Sequence, residues 1–246
     1  LAVLNERYSI TEEDFVSAEL EAVPAGAARE MGFDRSMILG YGHDDSSCAY
    51  PSMIAQLKMA DQDLKTTAVS VLVDKEEIGS VGASGMDSHF FENTIATLME
   101  LAGETGGVKL RHALANSKMI SSDVSAGFDP AYASVFDTRN VAFLGHGLAF
   151  NKFTGSRGKS GSNDADAEYV AEIRRIMDDA KVTFQTCELG KVDAGGGGTI
   201  AYMSAKYGMN VIDSGVPVLS MHAPWEVVSK ADLYEAYKGY VAFLKA

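Results

Sequence analysis

A chain of 246 residues is long enough to bury a full core within one domain, and 46% hydrophobic with 22% charged residues is a globular composition. The formal net charge of −13 argues against nucleic acid or an anionic membrane surface as a partner. Two cysteines, Cys48 and Cys187, build no disulfide framework. No signal peptide and no apolar run of about 18 residues is found, so a reduced, cytoplasmic setting is expected. Leu1 is not an initiator Met and LAVLNERYSI opens in mid-pattern, so the chain is expected to be a fragment, a processed product or a trimmed form.

Taken in order, residues 1–24 read as a small separate piece, with a cap at Thr11 and an alternating half-buried strand from Val16 to Val23. Pro24 and Gly26 punctuate its end. Met37 to Tyr41 is a short apolar run, followed by GHDDSS. Ser46 to Met59 has helical spacing, with Ala49, Met53, Ile54 and Leu57 on one side. Thr67 to Val73 reads as the central buried strand, and Asp87 and Ser88 as caps for a helix over Phe90 to Leu101. Further strands are expected at Lys118 to Ile120, Val141 to Phe150, Val182 to Thr186 and Asn210 to Ile212. Helices are expected at Ala165 to Ala180 with Val170, Ile173 and Met177 inward, at Thr199 to Tyr207, and at Ser229 to Ala246 with Leu233, Ala236, Tyr240 and Leu244 on one face. Strands alternating with helices predict an α/β sheet covered on both sides.

Sites in open α/β sheets form beyond the carboxyl ends of strands. Asp44 follows MILGYG, Glu76 and Glu77 follow the run ending at Val73, Asp123 follows KMISS, and His222 follows VPVLS. Such a set is what a carboxylate-rich zinc or manganese site needs. Singly, each has a plainer reading: Asp44 with Asp45 suits a helix cap, Asp123 a turn, and His222 a satisfied core histidine. Adjacent side chains on an extended segment point opposite ways, so one of Glu76 and Glu77 can bind a metal while the other faces water. Lys152, Arg157 and Lys159 cluster in NKFTGSRGKSG, which reads equally as a substrate loop that meets an acidic side chain and as a solvated glycine-rich loop. The run Gly195 to Gly198, Gly197 included, precedes a helix, where its amides can meet an anion or a substrate carbonyl. No GK[ST] follows, which excludes a nucleotide phosphate loop. His146 and Cys48 read as structural.

The motifs YGHDDSSCAY, VDKEEIGSVGASGMDS, SSDVSAGFDPAY and VLSMHAPWE, in that order, resemble the aspartyl aminopeptidase family of dinuclear zinc exopeptidases, in its bacterial branch. KVDAGGGGTIAYMSAKYG and LAFNKFTGSRGKSG fit the same family, and the resemblance covers nearly all of Val16 to Ala246. It implies a three-layer α/β/α zinc-peptidase-like fold with a mostly parallel or mixed central sheet, here lacking its N-terminal part. Residues 1–24 would be the tail of an inserted dimerisation-type domain, and residues 25–246 the C-terminal part of the catalytic domain. Asp44 matches the carboxylate that bridges two metals, Glu77 and His222 the remaining ligands of one metal, Asp123 a ligand of the other, and Glu76 the general base. Lys152, Arg157 and Gly197 would contact substrate.

Two departures accompany the match. The family's other metal also takes a histidine from upstream strands, and none of His43, His89, His112 or His146 sits in the corresponding motif. Zinc, two per subunit in the family, is therefore expected here as one ion or none, with manganese or cobalt as alternatives. The run after Asp123 is VSAGFDP, without the histidines of eukaryotic members, which weakens the expectation of an acidic-substrate preference. The implied activity is removal of N-terminal residues from peptides, within a dodecamer-like homo-oligomer and without nucleic acid or membrane. The alternatives are a related dinuclear-metal amidohydrolase, a neutral-residue aminopeptidase, and a non-catalytic fragment serving assembly or binding.

Overall fold

The structure, a computed structural model, describes residues 1–156, 160–191, 194 and 197–246. The N-terminal piece holds helix α1 (Ala2–Tyr8) and a single 3-10 turn (Glu13–Val16). Asp14 accepts hydrogen bonds from the Thr11 amide (2.7 Å) and hydroxyl (2.8 Å), but the turn's N-cap position is Glu12 and no side chain caps it, so the cap expected at Thr11 does not form. The strand expected from Val16 to Val23 does not form. Every residue there is exposed, and among the described residues no strand pairs with it. Alternation alone does not satisfy a strand's backbone.

Strands β1 (Arg29–Met31) and β2 (Met37–Gly40) are antiparallel. Strand β3 (Lys118–Ser122) leads into β4 (Ser125–Ala126), and both run parallel to a second bent ribbon, β9 (Asn210–Gly215) into β10 (Pro217–Leu219). Hydrogen bonds continue across the bend: the amides of Asp123, Ser125 and Gly127 donate to the carbonyls of Ser214, Val216 and Val218. On one side of this seam lies a five-stranded sheet, β1-β2-β11-β10-β4, in which β11 (Glu226–Ser229) pairs with β2 and β10. On the other lies a four-stranded sheet, β3-β9-β5-β8, with β5 (Leu148–Asn151) antiparallel to β9 and parallel to β8 (Phe184–Cys187). The central sheet is thus mixed. A hairpin, β6 (Phe153–Ser156) with β7 (Ser160–Asp164), stands beside it.

Alternation along the strands assigns the two faces. Ile120, Ile212, Leu148 and Phe150 join a core with α2 (His43–Met59), α5 (Ala167–Asp179) and α7 (Lys230–Lys245). Met119 and Val211, one residue earlier on their strands, turn to the other face and meet α3 (Phe90–Leu101), α4 (Gly107–Ala115) and α6 (Ala201–Ala205). The expected three layers are therefore present.

Several expectations change in detail. Helix α2 forms, but it buries Ser47, Cys48, Pro51, Ala55 and Met59 rather than the side carrying Met53 and Leu57. The small side chains on that face let α2 lie close to α7, which outweighs the larger apolar count opposite. Inward Ile173 and Met177 of α5, and Ala236 and Tyr240 of α7, lie where the periodicity predicts. The strand expected at Val141 to Phe150 is confined to β5. Gly145 and Gly147 adopt left-handed φ of 81° and 88°, and a Cβ on Gly147 would lie 2.1 Å from the Thr183 carbonyl oxygen. Thr67 to Val73, read as the central strand, runs without regular structure and has no strand partner among the described residues. It rides along α2 through a Gln56 side-chain bond to the Ala68 carbonyl (3.1 Å), with Val69 and Leu72 outward. No helix of the described residues is long and apolar enough to cross a membrane.

Candidate metal centre

Four chain segments converge at one end of the seam. Asp44 lies just inside the N-terminus of α2, where φ −81° and ψ 105° depart from helical values, and its side chain is only 6% exposed. Glu76 and Glu77 occupy a single 3-10 turn entered through Lys75 at φ 69°. Asp123 sits at the bend between β3 and β4, and His222 in the turn after β10 at φ 65°. Left-handed conformations in non-glycine residues cost of order 1–3 kcal/mol and gather at functional sites. Here one belongs to His222 itself and another immediately precedes Glu76.

His222 Nε2 lies 3.2 Å from Asp44 Oδ2 and 3.5 Å from Glu77 Oε1. Ligands held about 2.0–2.1 Å from a tetrahedral zinc stand roughly 3.3–3.4 Å apart, so this spacing and this nitrogen–oxygen set fit zinc. Asp44, Asp45 and Asp123 make a second cluster that shares Asp44 with the first; within each cluster the donor atoms lie within 4.8 Å of one another. The second cluster is all oxygen, a set suited to harder cations such as manganese. Mutual repulsion records how tightly the acids are gathered. Burial first, then the charge of Asp123 and a hydrogen bond with Asp45, pushes the Asp44 carboxyl up to about 9. Burial, then Asp45 and Glu76, pushes Asp123 up to about 7. Glu76 is raised by burial and by the charges of Glu77 and Asp45. A divalent cation answers this concentration of negative charge.

The chain passes close at this point. A Cβ on Gly215 would fall 1.3 Å from the carbonyl oxygen of Asp123, so only glycine lets β9 run beside the bend that presents Asp123. Two residues were missed by sequence reasoning. Asp45, weighed only as a cap, joins the second cluster. Glu226 is buried at the start of β11 and accepts the backbone N–H groups of both Asp44 and His222. Its signal was an acid opening an otherwise apolar strand, four residues after His222.

Lys152 is exposed and pairs with Asp164 across the base of the β6–β7 hairpin. Gly197 is half-buried, and Arg157 lies outside the described residues. Buried Asp213 accepts bonds from Thr154 of β6, Asn163 of β7 and Thr199, tying all three to β9.

A family described as aminopeptidase I zinc metalloprotease (M18) matches residues 1–244. The chain belongs to this M18 family. It is 63% identical over 244 residues to a probable M18 family aminopeptidase 1 of Clostridium acetobutylicum, covering 99% of this chain and 52% of that protein. Among solved structures, aminopeptidase I from Clostridium acetobutylicum aligns over all of this chain and 52% of its own, at 62% identity and a TM-score of 0.91. An M18 aminopeptidase from Thermotoga maritima aligns over all of this chain and 54% of its own, at 44% identity and a TM-score of 0.94. The chain thus spans about half the length of the M18 relatives it matches.

Proposed function

We propose that the protein is a zinc-dependent aminopeptidase in which Asp44, Glu77 and His222 hold the principal metal and Glu76 is the general base. The observation that carries this reading is the spacing of His222 Nε2 from two carboxylates on separate segments, 3.2 and 3.5 Å. Zinc, when bound, supplies Lewis-acid polarisation of the scissile carbonyl and of the attacking water. Glu76, beside Glu77 and half-buried, takes the proton of that water and returns it to the leaving amine. Asp44, Asp45 and Asp123 form a second, weaker site for a harder cation such as manganese. The gathered carboxylates attract the free ammonium group of a peptide.

Residues 25–246 form, in this reading, the C-terminal part of the catalytic domain, and residues 1–24 the tail of a dimerisation-type domain. The protein works as a homo-oligomer in the cytoplasm. A Saccharomyces cerevisiae aminopeptidase with this fold, 21% identical at a TM-score of 0.73, is described as a dodecamer. Buried, unpaired Cys48 and Cys187 suit a reducing compartment. Lys152, with Arg157 and Gly197, reads the first side chain of the substrate. The pairing of Lys152 with Asp164 favours a second reading, a preference for neutral first residues.

The test is Glu76→Gln. It should keep the metal content and lower turnover by at least ~10²-fold; turnover like that of the starting protein in the metal-loaded variant refutes the role. A panel of amino-acid p-nitroanilides decides between Asp or Glu and Leu at the first position.

A further inference from the structure

We infer that Glu226 is a positioning residue that clamps two metal-ligand segments in register; the inference rests on the zinc reading above. Glu226 is 2% exposed and sits on β11, between β2 and β10. Its two carboxylate oxygens divide between two backbone donors. Oε2 accepts the N–H of Asp44 at 3.0 Å, and Oε1 accepts the N–H of His222 at 2.9 Å. These residues are 178 positions apart in sequence (222 minus 44) and belong to different elements, the start of α2 and the turn after β10. No cation pairs with Glu226 among the described residues. A buried carboxylate is costly, and here two directed N–H donors help to offset it.

The chemistry explains why a carboxylate occupies this place. Two donors converge on one side chain, so both of its terminal atoms must be acceptors. An ionised Glu is acceptor-only. Gln has the same shape but presents an NH₂ to one of the two amides, so one ligand segment loses its anchor. The clamp matters because His222 holds a left-handed φ of 65° and Asp44 a non-helical ψ of 105° inside a helical segment. Neither conformation is what the local sequence prefers, and Glu226 bonds the amide of each residue. The two donor atoms it positions, His222 Nε2 and Asp44 Oδ2, lie 3.2 Å apart. Residues that orient metal ligands from behind typically set ~10–100-fold in metal affinity.

The experiment measures zinc affinity by chelator competition, together with the visible spectrum of the cobalt(II)-substituted protein, for the starting protein and for Glu226→Gln. The expected result is ~10–100-fold weaker zinc binding and an altered cobalt spectrum in a variant that still folds. Should Glu226→Gln fail to fold, Glu226→Asp replaces it. Asp keeps an acceptor-only carboxylate but is one methylene too short to reach both amides, so weaker zinc binding is again expected. Zinc affinity within ~2-fold of the starting protein in the folded variant, with only the melting temperature lowered, overturns the inference and leaves the zinc reading intact. Failure of the starting protein to bind zinc overturns the zinc reading, and this inference with it.

Discussion

Helices α5 and α3 both carry apolar residues at helical spacing and meet opposite fates. On α5, Ile173 and Met177 are sealed between the sheet and α7, and Ile173 is 1% exposed. On α3, Phe91 and Ile95 find α4, α6 and Tyr207, yet no residue is fully buried and Leu101 is 80% exposed. The difference extends to the segments around them. The seam of β3 and β9 and the α2–α5–α7 layer are closed, whereas residues 67–101 keep Val69, Leu72, Ile78, Val81, Phe90 and Leu98 outward. An amphipathic pattern states that a face is to be covered; it does not supply the cover. The candidate metal centre lies on the border. Asp44, Asp123 and buried Glu226 come from the closed part, and Glu76 and Glu77 from the open one.

Stability measurements can break this contrast. Ile173→Ala removes a buried side chain and should cost about 2–5 kcal/mol in denaturant unfolding. A cost below about 1 kcal/mol would mean that the closed core is looser than its burial implies. Gly215→Ala forces the backbones of β9 and Asp123 apart and should cost about 1–3 kcal/mol or more. It should also weaken binding at the carboxylate cluster, read by manganese titration; unchanged stability and manganese affinity would show that the close approach is dispensable. Leu101→Ala should lie within about 0.5 kcal/mol of the starting protein, because its side chain already meets solvent. A larger loss would reveal a cover for α3.

Two further measurements sharpen the contrast. Amide hydrogen exchange should be fast over Thr67 to Val73 and slow over Asp213 and Ser214, since only the latter two are laddered on both sides. Equal protection would remove the distinction. The smallest effect concerns pH. Burial raises the carboxyls of Asp213 and Asp232 above their ordinary value. The folded state therefore holds these protons to higher pH than the unfolded chain. Their contribution to stability is fully present below the unfolded carboxylate pKa, near ~3.9, and is lost as pH rises through the raised folded values. Asp213→Asn should flatten that part of the stability profile; an unaltered slope would assign it to other groups.

Sequence by itself determined the places of α2, α3, α5, α6 and α7 and of β3, β5, β8 and β9, the inward faces of α5 and α7, and the runs after which Asp123 and His222 emerge. These follow from periods of 3.6 and 2 and from local turn chemistry, which act over a few residues. The motif match carried the family and named the candidate ligand residues. Tertiary structure decided which face of α2 is buried, because packing against α7 rewards small side chains over large ones. It decided that Thr67 to Val73 has no strand beside it, because a ladder needs a partner that the segment's own residues do not specify. It brought Asp45 into the carboxylate cluster and joined Glu226 to amides 182 and 4 positions away. Such bonds depend on where two distant segments meet in space, and no local period records that meeting.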